Sequence, residues 1–239
     1  MRQTYAFFKY YFSLMVKDKV TLIWSVSFPL IIALMGYFPQ QDRFNHLLDK
    51  QTYLFVFWAF ALNMIFINGI GTQFATIRQH GLLKTFYSLS GKKSPFIIAI
   101  IVAQLILGIG TISLMTIVLG LLMNIFSLEL LIHLMIYSMI IIPIAPAFLV
   151  ISFIPIKAES LTTIVSILTI VMFFIAGNTS NDFFGVEWVN PVYFFRQISL
   201  LLTSHSVNLT LFSVVYMIYI AISIFSVFKV NINSKTNRT

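Results

Sequence analysis

PFIIAIIVAQLILGIGTISLMTIVLGLLM, residues 95–123, carries no charged side chain and a single amide, Gln104. A helix rises ~1.5 Å per residue, so about 20 residues cross a hydrocarbon core ~30 Å thick, and this run exceeds that length. Five further apolar runs lie on either side of it, at roughly Val20–Phe38, Tyr53–Ile77, Leu128–Ile154, Leu161–Gly177 and Val207–Phe228. With 59% hydrophobic and 9% charged residues, the chain falls outside the composition of soluble domains of its length. The expected fold is an all-α membrane protein with six transmembrane helices.

The charges fall on alternate connections between those runs. With the N-terminus taken as inside, 12 of the 15 Lys and Arg lie on one side. They are Arg2, Lys9, Lys17 and Lys19 before the first run, Arg78, Lys84, Lys92 and Lys93 after the second, Lys157 after the fourth, and Lys229, Lys235 and Arg238 in the tail. Arg43, Lys50 and Arg196 fall outside. Acidic residues split the other way, with Asp18 and Glu159 inside against Asp42, Asp49, Glu129, Asp182 and Glu187 outside. Basic residues are retained on the cytoplasmic side, so both termini are assigned there. The net charge of +8 suits anionic inner-leaflet lipid and gives no reason to expect a nucleic-acid partner. The absence of Cys excludes disulfides, thiolate metal sites and a Cys nucleophile. The first run starts only at residue 20 and no small-residue cleavage site follows it, which reads as a retained span rather than a signal peptide. The connections are too short for a second domain. The chain divides into an entry helix (1–19), one integral six-span domain (20–228) and a cytoplasmic tail (229–239).

Two inside segments are not spans. At 3.6 residues per turn, Arg2, Ala6, Lys9, Ser13 and Lys17 form one narrow stripe of the arm, while Phe7, Phe8, Tyr11, Phe12, Leu14 and Met15 cover the rest. Such a segment lies in the headgroup plane, its lysines reaching phosphates, so an N-terminal amphipathic interfacial helix in contact with membrane lipid is expected. The second segment, RQHGLLKTFYSLSGKKSP, covers residues 78–95. Leu82, Leu83, Phe86 and Leu89 share one helical face, and His80, Lys84 and Ser88 the other. Gly91 supplies a stop and Pro95 starts the next span. Four residues would suffice to reverse the chain, so a helix over Arg78–Ser90 is surplus to topology. It is either a second interfacial helix or a docking element for a cytoplasmic partner. The run Gly91-Lys92-Lys93-Ser94 is no phosphate-binding loop, because Phe86 stands where the first Gly would be required.

This layout resembles the membrane subunit of an ABC-2 type (type V exporter-like) ABC transporter. It has six spans, an amphipathic entry helix and an R-x-x-G-x-x-K loop after the second span. A shorter loop follows the fourth span, and amphipathic outer material precedes the sixth. Arg78, Gly81, Leu82, Lys84, Ser94, Pro95 and Gln104 carry the match, and the layout covers essentially the whole chain. Where the family usually has an acidic residue followed by Thr, this chain reads Gln79-His80-Gly81-Leu82.

The resemblance implies a permease subunit of an ATP-driven exporter that moves a hydrophobic or amphipathic substrate (drug, lipid or peptide) outward. The main coupling helix would meet an ATPase through Arg78, His80, Gly81, Leu82, Lys84, Phe86 and Tyr87. Ile156, Lys157 and Glu159 would make a second contact. The chain has no Walker motif, so ATP, Mg and hydrolysis belong to a separate ATPase subunit, and this chain is not itself an enzyme. Six spans enclose a path poorly and a dimer of 12 encloses one well, so a second permease, identical or related, is the other expected partner. The second and fifth spans would flank the path, which singles out Asn63, Asn68, Thr163, Ser166 and Phe173. Re-entrant helices within Asn178–Ser204 would close the outer mouth, with Phe183, Phe184, Trp188, Tyr193 and Phe194 at the interface, although those aromatics also suit an ordinary interfacial belt. The implied location is a multi-pass position in a bacterial cell membrane.

Pro143 and Pro146 should kink the fourth span and Pro29 the first. Glu129 and His133, four residues apart on the fourth span, read as a headgroup-level pair or as a proton relay. The amides Asn63, Asn68, Gln73 and Gln104 are interhelical hydrogen-bond glue or path-lining groups. The alternative function is a gradient-driven carrier or channel of six spans per protomer, although no ionisable group lies near mid-span, where such a carrier normally places one. An intramembrane enzyme would need clustered acid, base or metal ligands. The four His are scattered and the seven acidic residues lack ligand spacing, so no catalytic or metal-binding residue is expected.

Overall fold

Ile, Val and Thr crowd the apolar runs although all three favour strands in water. In hydrocarbon a lone strand would leave its backbone N–H and C=O groups unpaired, whereas a helix pairs them within one segment. The computed structural model, which describes residues 2–44, 46–177, 186–203 and 207–230, follows that rule: every element among the described residues is helical. Several hydroxyls in the spans are satisfied the same way. Thr111, Ser113 and Thr116 donate to the carbonyls of Leu107, Ile109 and Ile112, each four residues back, at 2.8, 2.7 and 2.7 Å.

Helix α1 (Arg2–Lys17) leads through Asp18 into α2 (Lys19–Tyr37), which continues through Pro29 and ends in a 3₁₀ turn, Phe38–Arg43. Next comes a single rod, Leu47–Gln79, made of α3 (Leu47–Phe66), a π-helical segment (Ile67–Thr72) and α4 (Gln73–Gln79). Short α5 (Leu82–Ser90) precedes α6 (Ser94–Leu122) and α7 (Leu128–Ile141). A nine-residue 3₁₀ helix, Ala145–Phe153, leads to α8 (Ala158–Gly177). A 3₁₀ turn, Val186–Val189, comes before α9 (Pro191–Leu202), and α10 (Leu209–Lys229) ends the described chain.

Among the described residues, five helices are long and apolar enough to cross a membrane: Leu22–Gln41, Leu47–Gln79, Ser94–Leu122, Ala158–Gly177 and Leu209–Lys229. The pair Leu128–Ile141 and Ala145–Phe153, bent by 43°, makes a sixth if counted as one span. The expected continuous helix over Leu128–Ile154 is thus broken, not merely kinked. Pro143 cannot donate to the ladder and its ring clashes with the carbonyl four residues earlier, while Pro146 sits in the first turn of the 3₁₀ helix.

The rod is the hub of the bundle. Of its most apolar 18-residue window 78% is buried, against 22% for α8 and 11% for α10. It packs against α6, α9, α2 and α8. Phe194 and Phe195 of α9 are fully buried. Phe194 stacks on Tyr219 with ring centroids 4.8 Å apart, and Phe195 meets Phe66 edge-on at 6.2 Å. Phe194 therefore belongs to the core, not to an interfacial belt, because α9 lies among the long helices. Trp188 and Tyr193 are half-buried and pack edge-on at 5.7 Å. Phe183 and Phe184 lie outside the described residues.

Candidate functional site

The rod ends at Gln79, and Gly81 turns the chain with φ +73°, a left-handed conformation costly for any residue with a Cβ. The turn is closed by the Gly81 N–H donating to the Arg78 carbonyl at 3.1 Å. Helix α5 therefore starts at Leu82, four residues later than the expected Arg78–Ser90 helix, and Arg78 and Gln79 belong to the rod. The other boundary falls where the sequence places it: Gly91, φ +67°, stops α5 as its N–H donates to the Tyr87 carbonyl at 2.8 Å.

Only part of the apolar face of α5 is covered. Leu83 is buried, and Phe86 packs against Phe96 at 4.4 Å and Phe7 at 5.5 Å. Leu82, Tyr87 and Leu89 are exposed, Leu89 by 72%, alongside exposed His80 and Lys84. The second expected contact segment is also open, with Ile156, Lys157 and Glu159 all exposed.

These two segments are tied together by neighbouring residues at the end of the rod. Arg78 is buried, and its guanidinium donates to the Ser152 carbonyl in the last turn of the 3₁₀ helix. Gln79 accepts at Oε1 from the Ala158 N–H, at 2.6 Å, where α8 begins. A helix's first N–H groups and last carbonyls have no intrahelical partner, so each bond fills a vacancy left by helix geometry. Arg78 and Gln79 thus grip both ends of the exposed connection at residues 154–157. Arg78 faces inward to this grip and Phe86 packs on Phe7 and Phe96, unlike exposed His80, Leu82, Lys84 and Tyr87.

The expected path residues do not form one lining. Asn68 Oδ1 accepts from the Ser166 hydroxyl at 3.3 Å, joining the π segment to α8. Asn63 is fully buried with neither amide atom hydrogen-bonded. Thr163 is exposed, its hydroxyl donating to the Glu159 carbonyl at 3.2 Å. Phe173 joins a ring cluster, 4.4 Å from Phe60 and 5.3 Å from Phe57. On α7, Glu129 is exposed and His133 Nδ1 is buried without a hydrogen bond.

Three further ties hold helices together, and of their donors the sequence singled out Gln104, as interhelical glue or a path-lining group. Gln104 Nε2 donates to the Tyr11 hydroxyl at 3.0 Å, fixing α1 onto α6, and burial pushes the Tyr11 phenol up to about 12 despite that bond. The stripe Arg2, Ala6, Lys9, Ser13 and Lys17 is exposed, while Tyr11 and Phe7 of α1 pack on protein. At the far end of α8, Asn190 Nδ2 donates to the Met172 carbonyl and Arg196 Nη1 to the Ala176 carbonyl, both at 2.7 Å. Burial lowers the Arg196 pKa, which nearby Tyr193 and Glu187 oppose. Among the described residues no group of three His, Asp or Glu is placed to hold a metal. No family model, curated protein or solved structure matches the chain.

Proposed function

We propose that this chain is the permease subunit of an ATP-driven exporter of the ABC-2 type. It works with a separate ATPase subunit that binds ATP and Mg, and with a second permease. In this reading the bundle sits multi-pass in a cell membrane with both termini cytoplasmic, and α1 lies in the inner headgroup plane with its cationic stripe toward lipid phosphate. A hydrophobic or amphipathic substrate moves outward. The observation that carries the reading is the double grip of Arg78 and Gln79 on residues 154–157. It makes exposed α5 and the exposed Ile156–Glu159 segment parts of one body with the rod, so force applied to either reaches α8. Helices rigidly attached to a docking surface transmit its displacement, because packed elements shift as units.

The test uses the absence of Cys. A single Cys at position 89 or 156, joined to its partner by a bifunctional thiol–amine reagent in native membranes, is expected to capture a chain carrying Walker motifs. That chain's ATP hydrolysis should rise on reconstitution with this permease. Leu82→Asp and Gly81→Pro should abolish the rise while membrane insertion persists. Full stimulation in both variants would refute the coupling role.

A further inference from the structure

Beneath α1 the bundle forms a partly open cavity of about 560 Å³, within the range of small-molecule sites. Its walls come from α1, α2, the rod, α5 and α6, with Thr162 of α8. It is separate from the Asn63 and Phe173 region, sharing only Asn68 with the expected path. Three features describe what it would hold.

The first is charge. Lys9, Lys17, Lys19, Arg78 and Lys84 stand on the elements around it, yet no Lys or Arg among the described residues lines it. Arg78, the nearest in sequence to the cavity residues of α4, turns to Ser152 instead. Besides tyrosines, the ionisable side chains that line it are Asp18 and His80. The second is its aromatic wall: Tyr10, Tyr11, Phe86 and Phe96 all contribute, and ring faces attract organic cations. The third is a wall built for close approach. The π segment, a geometry enriched at functional sites, places Gly69 where a Cβ would lie 2.1 Å from Gln104 Oε1. Only glycine there lets the Gln104 amide sit in the wall while it holds Tyr11.

We propose that this cavity binds an amphipathic organic cation. Its cationic group is held by the Asp18 carboxylate and the Tyr10, Tyr11 and Phe86 rings, and its apolar body by Leu22 and Leu107. His80, Leu82 and Phe86 belong both to this wall and to the expected ATPase contact, so binding is tested on this chain alone.

The probe is tetraphenylphosphonium, with tetraphenylborate as a size-matched anion. Binding to the purified full-length chain is measured by scintillation proximity without any ATPase. The expected result is saturable binding of the cation and none of the anion. Asp18→Asn, which keeps the side-chain size at an exposed position, should weaken the cation about fivefold, as for a partly screened charge pair, and Asp18→Lys should weaken it further. Equal binding of cation and anion, unchanged affinity in Asp18→Lys, or no saturable cation binding would each overturn the assignment. Full ATPase stimulation in Gly81→Pro, a position outside the cavity wall, with cation binding intact would count against the exporter reading alone.

Discussion

Replacing Arg78 by Met keeps most of the side-chain volume and removes the donor to the Ser152 carbonyl. A hydrogen bond from a charged group contributes about 1.5–3 kcal/mol net, and this one is buried, so the grip on residues 154–157 should weaken by about 2 kcal/mol. Because every 1.4 kcal/mol is tenfold, local opening of that connection should become roughly 30-fold more frequent. Amide hydrogen exchange reads this directly, since Ile156 N–H donates to Ile154 and Ala158 N–H to Gln79. Exchange at positions 156 and 158 should accelerate roughly 30-fold, while the core of α6 around Ile112 stays protected. Gln79→Ala removes a neutral acceptor contributing about 1 kcal/mol, for about a fivefold change centred on Ala158. The two effects should not multiply. Once Arg78 lets go, Gln79 no longer faces Ala158, so the double variant should exchange within about twofold of Arg78→Met. Unchanged exchange at 156 and 158 in a well-folded Arg78→Met protein would refute the grip, and full additivity would refute its unity.

Gly81→Ala should cost roughly 1–2 kcal/mol in thermal unfolding, because the position is left-handed and nothing within 4 Å would hinder a Cβ, so the penalty is conformational alone. Asn at 81 should recover part of the loss, and a neutral Ala variant would rule out the turn. Gly69→Ala should push the Gln104 amide off Tyr11 and speed proteolysis within α1, as should Tyr11→Phe; resistance equal to wild type in both would remove the anchor. The Tyr11 phenol is raised to about 12 from an ordinary value of 10, so its neutral form is the one the fold holds. Docking of α1 should be constant below pH 10 and weaken between pH 10 and 12, and Tyr11→Phe should abolish that dependence. For topology, a Cys at 92 should be shielded from an impermeant thiol reagent in intact cells and a Cys at exposed position 189 should react; labelling at 92 would invert the proposed orientation.

What the sequence revealed were features that act through a residue's own backbone or through sheer length. The apolar runs are long enough that only helices serve them, the Gly91 stop needs only its positive φ, and a bend after α7, though not the full break, follows from Pro143. The inward turn of Arg78 was hidden because positive-inside counting reports which side a cation lies on, not which carbonyl it meets. Its partner is 74 residues away, and Gln79 reaches 79 residues to Ala158. Phe194 was misjudged for a related reason: an aromatic-rich segment between two spans has the same composition whether it lies at the interface or folds back into the core. Of the expected path, Asn68 and Ser166 do meet. Asn63 and Thr163 share their helices with them but face elsewhere, which helical spacing alone does not weigh against tertiary packing.

One of the sparsely packed spans is held at both ends. α8 buries only 22% of its apolar window, yet both ends are fastened, the first by Gln79 at Ala158 and the last by Asn190 at Met172 and Arg196 at Ala176. At ~1.5 Å per residue its 20 residues span ~30 Å, the thickness of the hydrocarbon core. A helix with mostly open sides, held laterally by Ser166 and Phe173 and fixed at its ends, follows its clamps. In the proposed exporter, displacement of α5 and the 154–157 connection would travel along α8 to α9. That predicts a specific uncoupling. Arg196→Met, which removes the clamp at Ala176 and leaves the opposite end untouched, should retain stimulation of the ATPase and lose transport. Paired loss of both would mean that α8 does not carry the motion and that Arg196 serves folding alone.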